Sequence, residues 1–389
     1  MSFPTQVASI YLPSSTAVTS AVNAFEVTRG RTSPAFAALD AATGTLTLNN
    51  EDRAFDPLHS SSPYYGEIVP GRRVGVSSAG VTIFDGYVSD WSFEYGPDGR
   101  SIAVCKVEDG LAALGRQGFS AWTTTNGQGP GARLTDVLAR PEVSWSAGTS
   151  LDTGVFTLGS ETIDWGTNVL NYCQLVADSD NGLLFVARDG TLTFKDRLGF
   201  VLSSATVAFG TGGVGFSEIT TSYGTELLFN RVTVSRIDSD PITVDDTTSI
   251  ADYGRVYALS KPGLLMQDDG MAAALAARIV DVYGNPVYRF ESITVDVHKL
   301  SGATQTSVLG LDLGDVVSVT WTPNATGSAI ARTCVVDGIR HTVSADRTHV
   351  MELVLNDASV VQVGPYFTVE DATYGAFNGA GVLAYPIPF

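Results

Sequence analysis

The chain has 389 residues, 44% of them apolar and only 16% charged, with 41 acidic against 23 basic side chains and a net charge of −18. That length predicts two or three domains, the apolar share argues against a disordered chain, and the acidic balance argues against a protein that grips phosphate backbones through counterion release. The acidity is shared, about −5, −3 and −8 over residues 1–115, 116–215 and 216–357, with no basic block. Few charges on an apolar chain also leave surface for a partner to cover, a mild argument for an assembly.

From the N-terminus, Met1 to Gln6 lacks the basic region and apolar core of a signal peptide, and no run approaches the ~18 apolar residues of a membrane span. Trp91, Phe93 and Tyr95 alternate with Ser92 and Glu94, which predicts a half-buried strand. Gly96-Pro97-Asp98-Gly99 then reverses the chain into a strand carrying Ile102 and Val104. A short helix is predicted over Asp109 to Leu114, and the Gly- and Thr-rich stretch Thr123 to Gly131 reads as a boundary region. Val169, Cys173 and Val176 share one face of a helix from about Thr167 to Ala177. Leu183 to Ala187 and Thr191 to Lys195 form a hairpin across Asp189-Gly190, and the same logic predicts a hairpin of Thr333 to Val336 with Ile339 to Val343 across Asp337-Gly338. Between them, a helix starts at Asp268, carries Met271, Leu275, Ile279 and Val282 as its stripe, and stops at Gly284. The predicted units are 1–115, 116–215 and 216–357, followed by a tail, 358–389, whose prolines and aromatics suit docking on another subunit or on its own chain.

Motifs for chemistry are weak. Gly210, Gly212 and Gly215 match G-x-G-x-x-G after a strand at Thr206 to Phe209, but Phe216 to Gly224 lacks the helical periodicity that a dinucleotide loop requires. Cys105, Cys173 and Cys334 are far apart and set among apolar neighbours, as reduced core thiols are. His341 and His349 lack the companions of a zinc site and are expected on or beside adjacent strands. Asp178-Ser179-Asp180-Asn181-Gly182 resembles the start of a calcium loop without its distal glutamate, and an Asx turn is the simpler reading. The adjacent pairs Glu51-Asp52, Asp245-Asp246 and Asp268-Asp269 are what 41 acidic residues produce by chance. No cofactor, metal site or catalytic constellation is predicted.

Two blocks resemble minor tail proteins of long-tailed bacteriophages (siphophages), especially those of actinobacterial hosts. The first comprises Val27-Thr28-Arg29-Gly30-Arg31, Gly44 to Asn50, Arg53-Ala54-Phe55-Asp56-Pro57, Pro63-Tyr64-Tyr65-Gly66, Pro70-Gly71-Arg72 and Phe84-Asp85-Gly86-Tyr87. The second comprises Gly182 to Val186, Asp189-Gly190-Thr191-Leu192-Thr193-Phe194-Lys195-Asp196-Arg197, Ser249 to Gly254, and Leu311-Asp312-Leu313-Gly314-Asp315. The resemblance implies a baseplate-hub-like, mainly β fold: two tube-type β-barrel domains, 1–115 and 216–357, joined by a smaller α+β insertion. It implies a trimeric ring around a DNA channel that does not bind the DNA specifically, in the virion at the tail tip, assembled in the host cytoplasm. Its partners would be a distal tail protein, tail-tip or fibre proteins and the tape-measure protein. Arg29, Arg31, Arg53, Arg72, Asp56, Asp189 and Arg197 are the candidate structural or interface residues, because Arg and Asp make bidentate pairs across loops or subunits. The rival readings are a hexameric distal tail protein, a carbohydrate-binding adhesin using Trp122, Trp145 or Trp165, and, last, a wall hydrolase.

Overall fold

The computed structural model describes residues 6–12, 15–32, 38–196 and 204–357; the predicted tail and Arg197 lie outside them. The first segment runs through β1 (Gln6–Tyr11), β2 (Ser15–Ala17), β3 (Val22–Gly30), β4 (Thr43–Asn49), β5 (Arg73–Ser78), β6 (Val81–Tyr95) and β7 (Ser101–Glu108) into helix α1 (Gly110–Leu114). Period-two alternation builds these strands: Ala103, Cys105 and Val107 of β7 point into the core while Ile102, Val104 and Lys106 do not. The Gly96 to Gly99 turn closes β6 on β7 as predicted, with Gly99 at φ +85° supplying the left-handed position.

The middle segment contains β8 (Trp122–Thr123), α2 (Pro130–Leu138), β9 (Thr149–Leu151), β10 (Thr162–Ile163), α3 (Val169–Ser179), β11 (Leu183–Val186) and β12 (Leu192–Lys195). Asn168 caps α3 by accepting the Asn171 N–H, and the helix buries Val169, Cys173 and Val176 as its periodicity requires. These side chains share a separate core with Phe119, Leu134 and Phe194. Helix α2 begins at the end of the stretch read as a boundary region, because Pro130 is not a breaker there but occupies the first helical turn.

The last segment holds β13 (Val207–Gly210), β14 (Glu218–Ser222), β15 (Arg231–Arg236), β16 (Ile242–Asp245), α4 (Thr247–Tyr253), β17 (Ala258–Leu264), α5 (Asp269–Tyr283), β18 (Arg289–Asp296), α6 (Gly302–Leu309), β19 (Val316–Trp321), β20 (Ile330–Val343) and β21 (His349–Asp357). Strands β15 to β17 form a small sheet of their own, covered by α5. Asp268 caps α5 by accepting the Met271 N–H, and Met271, Leu275 and Ile279 are buried on that sheet.

The remaining strands of the first and last segments form one sheet in the order β14-β18-β21-β20-β3-β4-β7-β6-β5-β1-β2, with β19 and then β13 attached beside β20. The expected mainly β architecture is what the chain adopts, as a sheet curled into a half-barrel; where the resemblance implies two tube-type barrels, strands of both segments share this one sheet. Its core is continuous across the two segments, with Val27, Leu46 and Cys105 in the same cluster as Ile293, Ile339 and Leu353. The predicted reversal at Asp337-Gly338 does not occur. The chain runs straight through as β20, and only the register against β21 shifts, between Val336 and Gly338. Before this bulge β20 pairs with β19, and after it with β3. Asp-Gly makes a hairpin only where its flanks prefer each other; here each flank finds a different neighbour. No helix among the described residues is long and apolar enough to cross a membrane.

Candidate functional site at the junction of the segments

Arg29 sits on the inward face of β3 and is 2% exposed. Its Nη2 donates to Asp312 Oδ1 at 2.5 Å and to the Val186 carbonyl at 3.0 Å. Asp312 Oδ2 also accepts the Arg188 backbone N–H at 2.9 Å, and Oδ1 that of Leu313 at 2.8 Å. One carboxylate therefore gathers β3 of the first segment, the β11–β12 hairpin of the middle segment and the loop that enters β19. Close by, Asp109 caps α1 through the Leu111 N–H. Burial pushes its carboxyl up to about 6, against the pull of backbone N–H groups and of the Arg29 charge.

Two residues further, Arg31 Nη1 pairs with Asp337 Oδ2 at 2.6 Å while its backbone N–H donates to the Asp337 carbonyl at 2.9 Å. Asn356 on β21 donates to the same Oδ2 at 3.2 Å. Burial raises the Asp337 pKa, and Arg31 opposes the rise. The backbones cross so closely that a Cβ on Gly338 would stand 1.9 Å from the Arg31 carbonyl, and one on Gly30, at φ +73°, 2.3 Å from that of Asp337. Only glycine fits either place.

Of the other predicted residues, Arg53, Asp56 and Arg72 make contacts separate from this junction. Arg53 donates to Asp56 Oδ2 from Nε at 2.9 Å and Nη2 at 2.6 Å, and Asp56 Oδ1 accepts the Leu58 N–H at 2.8 Å. These bonds hold the Asp56 carboxyl below its usual range. They close a loop whose Phe55 stacks on Tyr64 and Trp91, at 5.5 and 6.3 Å between centroids. Arg72 pairs with Glu67. Asp189 accepts the Thr191 N–H at 3.0 Å and so builds the hairpin turn that presents Arg188 to Asp312.

Sequence reasoning missed two buried polar networks. Arg133 on α2 is fully buried and donates to Gln128 Oε1, the Tyr172 hydroxyl and the Thr125 and Gly159 carbonyls at 2.7–2.8 Å. Its one signal is an arginine at helical spacing from Pro130 and Val137 and next to Leu134, on the apolar side of the helix. His341 and His349 lie on the paired strands β20 and β21, as expected, and their contact was not foreseen: His341 Nδ1 meets His349 Nε2 at 3.1 Å, and His349 Nδ1 meets Ser78 Oγ of β5 at 3.1 Å. The ring nitrogens in these contacts are spent on each other and on a hydroxyl. Burial holds both imidazoles neutral, His341 well below its ordinary pKa and His349 down to about 4.

The motifs set aside in the sequence have structural occupations. Asp52 accepts the Ala54 N–H, Asp245 pairs with Arg231 at 2.6 Å, Asp246 and Asp268 cap α4 and α5, and Asp269 pairs with Arg236 at 2.5 Å. In the calcium-like stretch, Asp178 pairs with Lys261, and Asp180 accepts the N–H groups of Val155 and Phe156 at 2.8 and 2.7 Å. Gly210 leads into a turn and strand β14, not a helix. Arg140 covers the Trp122 ring at 4.8 Å, Trp145 packs on Gly110, and Trp165 is 83% exposed.

The sequence matches no family model and no curated protein. The fold does have likenesses among solved structures. A tail protein from Neisseria meningitidis MC58 superposes with a TM-score of 0.62 at 15% identity, covering 92% of this chain and 98% of that one. The 43 kDa tail protein of prophage MuSo2 from Shewanella oneidensis gives 0.59 at 15% identity, covering 92% and 100%. The E. coli c3393 protein gives 0.52 at 10% identity over 87% and 73%; it is described as a type VI secretion component similar in structure to the T4 bacteriophage tail proteins gp27 and gp5. At these identities the shared property is the fold, and it is the fold of phage tail proteins.

Proposed function

We propose that this chain is a structural subunit of a bacteriophage tail, a baseplate or tail-tip hub that joins the tail tube to the adhesion apparatus as a trimeric ring around the DNA channel. The observation that carries the reading is the likeness to tail proteins over 92% of this chain and 98–100% of theirs. Two features support an assembled state. The large sheet ends at β14 and β2 with edges unpaired among the described residues, which a neighbouring copy can extend. Leu58, Tyr65, Tyr95, Trp165 and Tyr223 are each more than half exposed, apolar or aromatic surface that a neighbouring subunit can cover. The Arg29 and Arg31 clusters fix the β20–β3 seam in the middle of the sheet to the β11–β12 hairpin and the loop before β19, a rigid joint of the kind a ring subunit under mechanical load needs. Distal tail, fibre and tape-measure proteins would be its neighbours, and DNA would pass without specific contact.

The test is the mass of the native particle by light scattering, with negative-stain images of the same sample. A three-subunit ring with a central hole is the expected result. Six subunits would reassign the chain to the ring of a distal tail protein, and a stable monomer that binds glycans would make it an adhesin.

A further inference from the structure

Away from the junction, the chain leaves the large sheet at the end of β14 and returns at the start of β18, where Ser222 stands opposite Arg289. A cavity of about 180 Å³ opens there, lined by Ser222, Tyr223, Glu226, Leu227, Arg289 and Glu291. Arg289 is 5% exposed and rests against the Tyr283 ring, its guanidinium carbon 5.8 Å from the ring centroid. One nitrogen, Nη2, donates to the Leu227 carbonyl at 3.2 Å. Its Nε has no partner among the described residues, and the side chain makes no ion pair there. A guanidinium does not shed its proton in a protein, so this is a buried cation beside a cavity, with its Nε itself buried.

We propose that this cavity is a subsite for one neutral sugar residue. An anion would satisfy Arg289 but would face Glu226 and Glu291 in the same lining; a cation would satisfy the glutamates and face Arg289. A neutral ligand carrying adjacent hydroxyls meets all three, since each hydroxyl accepts from the guanidinium and donates to a carboxylate. Tyr223 is 69% exposed at the rim and offers a ring face with a polar tip, the amphipathic surface that suits the apolar side of a sugar ring. At roughly 30 Å³ per water the volume holds about six waters, below the ~300 Å³ of a full ligand pocket. The cavity therefore takes one ring, and any longer glycan runs out over the surface.

The experiment uses the full chain in saturation-transfer NMR and calorimetric titration with glucose, galactose and N-acetylglucosamine, and then with an oligosaccharide of whichever sugar binds. Tyr223→Ala and Glu226→Gln are the test variants, because both side chains are exposed and neither supports the core; melting curves establish that they fold. Binding of at least one sugar, weakened about tenfold or more in both variants, is the expected result. Tighter binding of the oligosaccharide with the same sensitivity points to a surface glycan, and equal binding to a free sugar. The proposal is overturned if no sugar binds, if the variants bind as well as the parent chain, or if inorganic phosphate binds in preference to every sugar.

Discussion

Arg29 and Asp312 set the residue scale, because the guanidinium is almost wholly out of water and its partner carboxylate is only 18% exposed. Removing one partner of such a pair leaves the other buried and uncompensated, a loss of about 3–5 kcal/mol. Arg29→Ala is expected to lower stability by that amount in urea unfolding. Asp312→Asn should cost less, since the amide still accepts from the guanidinium. A loss from Arg29→Ala below about 1 kcal/mol, the value of a surface pair, would show that the cluster does not tie the segments together. The histidines make a second case. Both stay neutral in the fold, His349 with a pKa of about 4 against an ordinary 6.5, beside Ser78 and His341 and near His298, with Arg29 facing His341. Between those two values the unfolded chain binds the proton and the folded chain does not, so stability falls as pH drops from about 6.5 to about 4, by roughly 3 kcal/mol for this residue. Unfolding free energy measured across that window should fall steeply in the parent chain and less steeply in His349→Gln; parallel curves would remove His349 as the cause.

At the scale of elements, the bulge in β20 matters most, since it is where one strand exchanges β19 for β3 and so fuses two segments into one sheet. A methyl group at Gly338 would meet the Arg31 carbonyl at 1.9 Å. Neither partner is a flexible side chain that can swing away. Gly338→Ala is therefore expected to cost about 3 kcal/mol or more, whereas Gly71→Ala, at φ +83° but with nothing within 4 Å, should cost only about 1–2 kcal/mol of backbone strain. Equal melting temperatures for the two variants would refute the close crossing. This element also shows what the sequence concealed. The β6–β7 and β11–β12 hairpins and the helices α1, α3 and α5 were legible because their signals are local, an Asp-Gly or Pro-Asp-Gly turn or an apolar stripe at helical spacing. Asp337-Gly338 carries the same local signal with a different outcome, because one flank pairs with the preceding strand β19 and the other with β3, near the opposite end of the chain. Arg133 was illegible for the same reason, since its acceptors come from Thr125, Gln128, Gly159 and Tyr172 on separate pieces of chain.

For the whole molecule, the charge of −18 decides how it meets DNA. A protein that neutralises phosphates with Lys and Arg releases counterions, and its affinity falls steeply with salt. Here many of the basic side chains are already committed to carboxylates of the same chain: Arg29, Arg31, Arg53, Arg72, Arg73, Arg231 and Arg236 all pair within it. A phosphate approaching the surface thus meets neutralised arginines among excess aspartates and glutamates. Repulsion of this kind suits a channel wall along which DNA slides without sticking. Fluorescence anisotropy with labelled duplex DNA should accordingly show weak binding even at low salt, with little change as salt is added. Tight binding that weakens steeply with salt would mean that a basic surface forms on assembly or refolding, and the channel reading would have to be given up.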